Sequence, residues 1–260
     1  MLDLLLVTGK NYLLKVNSLP YESVSFIYKE LMKDVNYKDW GKYILDLTQD
    51  HLDSKKLKVL ELGSGNCNLA EIISREYKDF IASDISLPML KQGDSVKVDK
   101  ICCDMTALPF NKKFDLVFSA FDSVNYLLNK RKLLNLFVEV RKVLKETGIF
   151  TFDVSLEKNS LDFENAYTIE GQTDGYYFTR KSKYYPSVGI HKNKFKVVNA
   201  NGNIKHEIHK QKIYKFETYF DLIDKAGLYV VECLEAFTFN NGNRNCERIQ
   251  FILKIDKNKC

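Results

Sequence analysis

Short apolar runs alternate with helical patterns from residue 57 onward. The runs span residues 57–62, 80–83, 101–103, 114–118 and 148–154. Between them, apolar residues recur at helical spacing, at Leu69, Ile72, Ile73 and Tyr77 and again from Leu133 to Leu144. This alternation predicts an α/β fold in which helices cover a parallel sheet.

The flanking segments extend this unit on both sides. Trp40, Tyr43, Ile44 and Leu47 predict an amphipathic helix ahead of the first strand, and a shorter helical stretch precedes it. Residues 216–226 predict a later helix. Strands at 228–237 and 248–255 follow it, and the short link between them favours an antiparallel pair. The expected sheet is therefore mixed and seven-stranded, with a terminal antiparallel hairpin.

Residues 155–215 have a different character. Tyrosines and valines stand in extended runs, which are separated by turn-forming residues at 186–189 and 199–203. We therefore expect a small antiparallel β subdomain at 155–215, inserted into a main domain made of 26–154 and 216–260. Residues 1–25 form an N-terminal extension of unknown role.

Composition excludes several classes of protein. The chain has 260 residues, of which 45% are hydrophobic and 28% charged, so it is neither a disulfide-stapled miniprotein nor a disordered polymer. Its net charge of +5 is mild for a nucleic-acid-binding domain. The six cysteines show no zinc-binding spacing, so no metal is expected. No signal peptide or membrane span is recognisable, and we expect a cytoplasmic protein with no membrane partner.

A glycine-rich turn joins the first strand to a helix at residues 59–69, VLELGSGNCNL. Gly63 and Gly65 let the backbone approach a ligand closely, and the helix that follows offers unpaired N–H groups. Asp84 stands at the end of the next strand, where a carboxylate accepts hydrogen bonds from ribose hydroxyls. Together with Glu61, this spacing predicts a nucleotide-type cofactor site.

Asn68 stands where a dinucleotide-binding turn has its third glycine. This replacement argues against a nicotinamide dinucleotide as the cofactor. The segment instead resembles motif I of the class I S-adenosylmethionine-dependent methyltransferases, with Glu61, Gly63 and Gly65 matched and Cys67 replacing a third glycine. The resemblance covers most of the chain from residue 26 onward. It implies a Rossmann-like fold, S-adenosyl-L-methionine as cofactor and methyltransferase activity.

Further motifs extend the resemblance. Asp84 with Ile85 and Met89 is similar to the family's second acidic motif, and Asp104 with Met105 to its adenine-edge motif. The resemblance also implies cofactor contacts from Ser64, Ala120 and Phe121. The segment from Tyr28 through Tyr37 to Trp40 looks like the N-terminal signature of a bacterial subgroup related to small-molecule N-methyltransferases, in which it forms a lid over the cofactor. Aromatic faces suit a sulfonium cation.

The loop after the fourth strand, residues 118–126, should lie between cofactor and substrate. It lacks the Pro-Pro-Tyr type of motif that amide and adenine-amino methyltransferases use there. We take Asp122, Tyr126 and His191 as catalytic candidates that act by hydrogen bonding, and Asn125, Tyr126 and Tyr185 as substrate-binding candidates. The expected reaction is direct in-line displacement onto a nitrogen or oxygen of a small-molecule acceptor.

Three alternatives stay open at this stage: a tRNA- or RNA-modifying methyltransferase, a nicotinamide-dependent oxidoreductase and a non-catalytic cofactor-binding protein. The RNA alternative rests on the inserted segment, which carries 11 Lys and Arg against 6 Asp and Glu and is rich in aromatics. Nucleic acid is the less favoured partner because the residues expected at the cofactor mouth are neutral or acidic. The sequence does not define the oligomeric state.

Overall fold

The computed structural model describes residues 21–52, 56–77, 79–93 and 95–259. Most of the predicted N-terminal extension therefore lies outside the described residues. The α-helices are α1 (Tyr28–Leu31), α2 (Tyr37–Gln49), α3 (Asn68–Ile73), α4 (Leu87–Gln92), α5 (Lys130–Val143), α6 (Glu157–Leu161) and α7 (Phe216–Lys225). The strands are β1 (Lys58–Leu62), β2 (Asp79–Asp84), β3 (Asp99–Cys102), β4 (Phe114–Ser119), β5 (Leu144–Ser155), β6 (Tyr167–Thr173), β7 (Tyr176–Tyr185), β8 (Ile190–Asn199), β9 (Ile204–Lys212), β10 (Leu228–Glu235) and β11 (Arg248–Ile255).

The central sheet has seven strands in the order β10-β11-β5-β4-β1-β2-β3. Strands β1 to β5 pair in parallel, whereas β11 runs antiparallel to both β5 and β10. The predicted mixed sheet with a terminal antiparallel hairpin is confirmed. The strand order reverses between β1 and β4, and the carboxyl ends of strands at such a switch point are where open α/β sheets bind ligands.

Two apolar layers cover the central sheet. On one face α5 and α7 bury residues such as Phe137 and Tyr219 against β5 and β11. On the other face α2 and α3 bury Ile44 and Leu69 against β1 and β4. Asn36 caps the N-terminus of α2, and its side chain accepts hydrogen bonds from the backbone N–H groups of Lys38 and Asp39. The apolar spacing in α2, α3, α5 and α7 thus corresponds to the faces that are buried.

The inserted sheet is a separate antiparallel sheet in the order β6-β7-β8-β9. Its β7–β8 and β8–β9 turns fall at the two predicted breaks, 186–189 and 199–203. The sequence pattern did not predict β6 or the turn that follows it at Asp174-Gly175. Gly175 has φ +76° in this turn. Where the domain boundaries fall stays a prediction.

The inserted sheet has two chemically different faces. Cross-strand register places seven lysines on one face, which we call the outer face: Lys181, Lys183, Lys192, Lys194, Lys196, Lys210 and Lys212. The opposite face, the inner face, contains buried Phe178, Phe195 and Val197, which pack with Val24 and Ile27. The inner face also carries polar residues, of which His209 and Gln211 contact the loop after β4.

Within the described ranges, no helix is long and apolar enough to cross a membrane.

Gly93 is a sensitive point of the fold because it ends α4 directly against the glycine-rich turn. A Cβ at Gly93 would lie 2.6 Å from the Asn66 carbonyl oxygen and 2.9 Å from Cys67 Cβ. We expect Gly93→Ala to destabilise the protein by about 1–3 kcal/mol, since backbone has to move to relieve the overlap. Urea unfolding measures this. Lys91→Ala, at an exposed position of the same helix, is the matched control, and equal midpoints for the two variants would contradict the prediction.

Candidate active site

The glycine-rich turn after β1 lies at the carboxyl end of the central sheet. Gly63 adopts φ +71°, and a Cβ there would lie 2.8 Å from Ser123 Oγ and 3.4 Å from Met105 Cε. The backbone N–H of Ser64 donates to the Ser83 carbonyl at 2.9 Å, which fixes the turn to β2. Gly63 therefore brings the turn against the loops that follow β3 and β4.

Asp84 is tied to the same turn by backbone hydrogen bonds. Its Oδ2 accepts from the Gly65 N–H at 2.8 Å, and its Oδ1 accepts from the Ser86 N–H at 2.7 Å. Burial raises the pKa of Asp84, and these backbone hydrogen bonds oppose the rise. Each carboxylate oxygen has a further lone pair, so Asp84 retains the capacity to accept hydrogen bonds from a diol.

Gly65 is closed in by side chains from two other elements. It adopts φ +55°, and a Cβ there would lie 3.3 Å from Met89 Cε and 3.9 Å from the Tyr28 hydroxyl. The structure thus brings Gly65, Asp84, Met89 and Tyr28 together, as the sequence predicts for a cofactor site.

Glu61 is buried beneath this turn with an incomplete set of hydrogen bonds. The side chain is 2% exposed, and its Oε2 has no hydrogen-bond partner among the described residues. Burial, and then the nearby charge of Asp84, raise the pKa of Glu61 to about 8. A buried carboxyl without a partner is costly, so this group is suited to a cationic or hydrogen-bonding group of a ligand.

The loop after β3 forms the neighbouring wall of the site. Asp104 Oδ1 accepts from the backbone N–H and the hydroxyl of Thr106, both at 2.8 Å, which fixes the loop. Met105 contacts the hydrophobic core on one side and approaches Gly63 on the other. Ile85 is 43% exposed beside Asp84, as expected for an apolar residue that packs against a flat ligand.

An aromatic cluster forms the opposite wall. The Phe121 ring lies 4.3 Å from Trp40 and 5.4 Å from Tyr37, measured between ring centroids. The Trp40 ring also makes an edge contact with Phe237 at 4.4 Å. Phe121 follows buried Ala120 and has φ +58°, so the chain bends sharply away from β4 here. The predicted lid residues Tyr37 and Trp40 therefore meet the loop after β4.

Asp122 belongs to an ion-pair network rather than standing free. Its Oδ1 accepts from Arg248 Nη2 at 2.9 Å, and its Oδ2 accepts from Gln211 Nε2. Its backbone N–H donates to Asp153 Oδ2 at 2.9 Å, and Arg248 also donates to Asp153. Burial raises the pKa of Asp153 to about 6 against the opposing effect of Arg248. This network fixes the loop after β4.

Tyr126 lies in a buried chain of hydrogen bonds. Its hydroxyl is 2.7 Å from the Tyr21 hydroxyl and 3.1 Å from His209 Nδ1. His209 Nε2 is 2.7 Å from Glu207 Oε1 on the same inner face. Burial raises the pKa of Tyr126, and the Tyr21 ring makes an edge contact with Tyr28 at 5.7 Å. The chain therefore runs from the inserted sheet to the tyrosines beside the glycine-rich turn.

Glu207 also anchors the first described residues. It accepts from the backbone N–H of Tyr21, from the N–H and hydroxyl of Ser23 at 2.8 and 2.7 Å, and from the Val24 N–H at 3.1 Å. Burial raises the pKa of Glu207, but hydrogen bonds from His209 and Ser23 outweigh burial and lower it to about 2. Glu207 is therefore a carboxylate that holds Tyr21 in position.

Three other predicted residues have different surroundings. Asn125 is fully buried, and its amide bonds the backbone of Ser155 and Lys212. His191 Nδ1 lies 3.0 Å from Ser160 Oγ, and burial lowers its pKa. Tyr185 lies on the outer face, with Lys192 Nζ 4.7 Å from its ring centroid. A direct substrate contact by these side chains stays a prediction, and this geometry does not favour it.

Several side chains of the site were not identified from the sequence. They are Tyr21, Ser123, Glu207, His209, Gln211 and Arg248. Glu207, His209 and Gln211 alternate along β9, so three polar residues share the inner face of this strand, and Ile204 and Ile208 lie on its outer face. This alternation of polar residues is the sequence pattern that could have identified them. Its partners lie more than 80 residues away in the chain, and only the tertiary structure identifies them.

Comparison with known proteins supports the methyltransferase class that the sequence motifs predict. Residues 59–148 match the family model described as a methyltransferase domain. A Geobacillus sp. (strain WCH70) protein, named provisionally as a methyltransferase, is 27% identical over 244 residues, which cover 90% of this chain and 99% of the relative.

Solved structures share the fold. An S-adenosylmethionine-dependent methyltransferase from Clostridium acetobutylicum ATCC 824 aligns with a TM-score of 0.76 at 24% identity, covering 90% of this chain and 98% of that one. The sugar N-methyltransferase KedS8 from Streptoalloteichus sp ATCC 53650 aligns with a TM-score of 0.73 at 12% identity, covering 97% and 99%. At these identities the likeness shows the fold alone.

The fold, the site and the matched methyltransferase domain support assignment of the chain to the class I S-adenosylmethionine-dependent methyltransferases. The residues present fit S-adenosyl-L-methionine as the cofactor. The glycines leave room for its approach, Asp84 can accept hydrogen bonds, and Glu61 has an unpartnered oxygen. The nicotinamide-dependent and non-catalytic alternatives are set aside.

The raised pKa of Glu61 makes a testable prediction about stability. Its pKa is about 8 in the folded protein and has the ordinary value of 4.5 in the unfolded chain. Between these values the folded state binds one more proton than the unfolded state, so the free energy of unfolding should fall as the pH rises from about 5 to about 8. Glu61→Gln, which is neutral throughout, should lack this part of the pH dependence.

Urea denaturation of the protein without cofactor at several pH values measures the slope. Glu71→Gln, at an exposed position on α3, is the matched control and should retain the wild-type slope. Parallel pH profiles for Glu61→Gln and the wild type would show that Glu61 is ionised in the fold.

Proposed function

We propose that this methyltransferase transfers a methyl group to a nitrogen or oxygen of a small-molecule acceptor by direct in-line displacement. The proposed cofactor contacts are Tyr28, Tyr37, Trp40, Glu61, Gly63, Ser64, Gly65, Asp84, Ile85, Met89, Asp104, Met105, Ala120 and Phe121. In this proposal the acceptor lies near Tyr126, under the inner face of the inserted sheet. A cytoplasmic location stays a prediction from the sequence.

One observation carries the small-molecule proposal. The described residues cover the glycine-rich turn with three tyrosines, because Tyr28 approaches Gly65 and Tyr21 connects Tyr28 to Tyr126. The inner face of the inserted sheet contacts the same group of tyrosines through His209. Covered, polar and aromatic surroundings suit a small acceptor better than an extended polymer.

Catalysis by positioning is consistent with the groups present. The methyl group of a sulfonium is already activated, so alignment of the acceptor can supply roughly 7–11 kcal/mol of the barrier reduction. Burial raises the pKa of Cys67 and of Cys103 to about 11, so neither thiol is prepared to act as a nucleophile. These two pKa values support direct transfer without a covalent enzyme intermediate.

The buried hydrogen-bond chain offers a path for a proton. Nε2–H of His209 donates to the Glu207 carboxylate, which leaves Nδ1 to accept from Tyr126. An acceptor group can then give its proton to the Tyr126 oxygen while Tyr126 gives its own proton to His209. We propose Tyr126 as the group that contacts the acceptor and His209 as its proton-accepting partner, with Glu207 positioning the imidazole.

The outer face of the inserted sheet favours a second candidate, an RNA methyltransferase. Its seven lysines face away from Tyr126, and the cross-strand pairs Lys183–Lys192 and Lys181–Lys194 place like charges directly opposite each other. Such a face attracts polyanions. An RNA substrate would have to extend from this face around the sheet to reach the tyrosines, and we therefore place it second.

Cofactor binding tests the site residues directly. Asp84→Ala should remove charge-assisted hydrogen bonds worth roughly 1.5–3 kcal/mol each and weaken S-adenosylhomocysteine binding at least about tenfold. Gly65→Val should weaken it further, since φ +55° and the nearby Met89 leave no room for a branched side chain. Calorimetry gives the affinities, and Trp40, the chain's single tryptophan, gives a fluorescence signal at the site. Asp99→Ala, at the start of β3, is the control. Unchanged affinity in both site variants contradicts the assignment.

The acceptor class is tested with S-adenosylmethionine labelled in its methyl group. The protein is incubated with a metabolite extract and, separately, with total RNA, and the label is followed into each fraction. We expect label in small molecules and little in RNA, and Tyr126→Phe should reduce transfer roughly 10- to 1,000-fold because positioning survives its loss. Labelling of RNA that is lost when Lys181, Lys183, Lys192 and Lys194 are replaced by Gln would favour the second candidate.

A further inference from the structure

Arg180 lies on the inner face of the inserted sheet, on β7, which is separated by β8 from the strand β9 that carries His209. It is directly opposite Phe195 on β8, and Phe195 is directly opposite Glu207 on β9. The next inward-facing positions are Ser182, Asn193 and His209. The alternation of side chains along β7 therefore places Arg180 on the same side as the Tyr126 hydrogen-bond chain.

The guanidinium of Arg180 has no partner in the part of the chain that the structure describes. Its Nε is buried without a hydrogen-bond acceptor, and no described carboxylate forms a salt bridge with it. Burial lowers its pKa, and only the phenols of Tyr167 and Tyr126 oppose this effect. A partly buried cation without an anion is costly, and this cost requires an explanation.

The buried carboxylates of the two neighbouring hydrogen-bond networks already have partners. Asp122 and Asp153 bind Arg248, and Glu207 binds His209 and three backbone N–H groups. None of them is oriented to Arg180 by a described hydrogen bond. The positive charge of Arg180 is therefore not neutralised by these groups. Burial lowers the pKa of His191, and the charge of Arg180 lowers it further.

The groups around Arg180 are neutral hydrogen-bonding groups and aromatic rings. Ser182 donates to Asn193 at 2.6 Å, and the Tyr126 hydroxyl is held by Tyr21 and His209. Planar guanidinium groups with free Nε and Nη donors bind carboxylates and phosphates through two parallel hydrogen bonds. The inner face thus has a free cationic fork beside the proposed acceptor position.

We propose that Arg180 binds an oxyanionic group, a carboxylate or a phosphate, of the methyl acceptor. This inference rests on the proposed function, because it places the anion beside the acceptor that Tyr126 contacts. It narrows the substrate class to small molecules that carry a negative charge in addition to the nitrogen or oxygen that receives the methyl group.

The test uses the whole 260-residue chain loaded with S-adenosylhomocysteine, with acetate and inorganic phosphate as probes at constant ionic strength. Thermal unfolding is followed as each anion replaces chloride. Arg180→Met removes the guanidinium, and Lys181→Met, on the outer face of the same strand, is the matched control. General salt effects of phosphate should appear equally in both variants.

We expect a saturable rise in melting temperature for the wild type and for Lys181→Met, and an apparent affinity at least about tenfold weaker for Arg180→Met. The anion that gives the larger saturable rise identifies carboxylate or phosphate as the recognised group. Arg180→Met should also be at least as resistant to urea as Lys181→Met, since it relieves an unpaired cation. Indistinguishable anion responses in the three proteins, or a loss of stability specific to Arg180→Met, would overturn the proposal.

Two further measurements separate the causes of a negative result. Asp3 is the sole side-chain carboxylate of residues 1–20. A higher anion affinity in Asp3→Asn than in the wild type would show that this carboxylate of the chain competes for Arg180. That result would also overturn the proposal. Calorimetry with S-adenosylhomocysteine tests the proposed function separately. If all variants bind the cofactor equally and none responds to anions, the proposal that the acceptor is anionic is wrong. The proposed methyltransferase function is then unaffected.

Discussion

The Glu207 carboxylate is the interaction on which the covered site depends. It joins β9 to the first described residues, because it binds the backbone at Tyr21, Ser23 and Val24, and it also orients the His209 ring on its own strand. Hydrogen bonds to a buried carboxylate are strong because donor and acceptor are screened from water. Without Glu207, neither the tyrosines over the glycine-rich turn nor the imidazole behind Tyr126 would have a defined position.

A second buried charge network fixes the opposite side of the site. Arg248, at the start of the last strand, binds Asp153 at the end of β5 and Asp122 after β4. The antiparallel hairpin that closes the central sheet is therefore linked electrostatically to the loop that carries Phe121 and Tyr126. The positive φ values of Phe121 and Asp122 cost conformational energy, and this network of hydrogen bonds holds the loop in that conformation.

The inserted sheet separates two kinds of positive charge. Its outer face carries exposed lysines, which remain hydrated and can interact with any polyanion at long range. Its inner face carries one guanidinium in a confined space beside tyrosines, where a single oxyanion gains specific hydrogen bonds. The local excess of positive charge in the sequence is therefore divided between a nonspecific outer surface and a candidate specific subsite at Arg180. The alternation of side chains along each strand decides on which face a basic residue lies.

The sequence by itself determined the class of fold and predicted the proposed cofactor half of the site. Glu61, Gly63, Gly65 and Asp84 lie within one β-α-β unit, so their positions follow from local chain geometry and from the parallel pairing of β1 with β2. The residues of the proposed acceptor half were brought together only by the tertiary structure. His209, Arg180 and Tyr21 reach Tyr126 only through the register of the inserted sheet and its docking on the central domain, and no local pattern in a single sequence encodes contacts between segments so far apart.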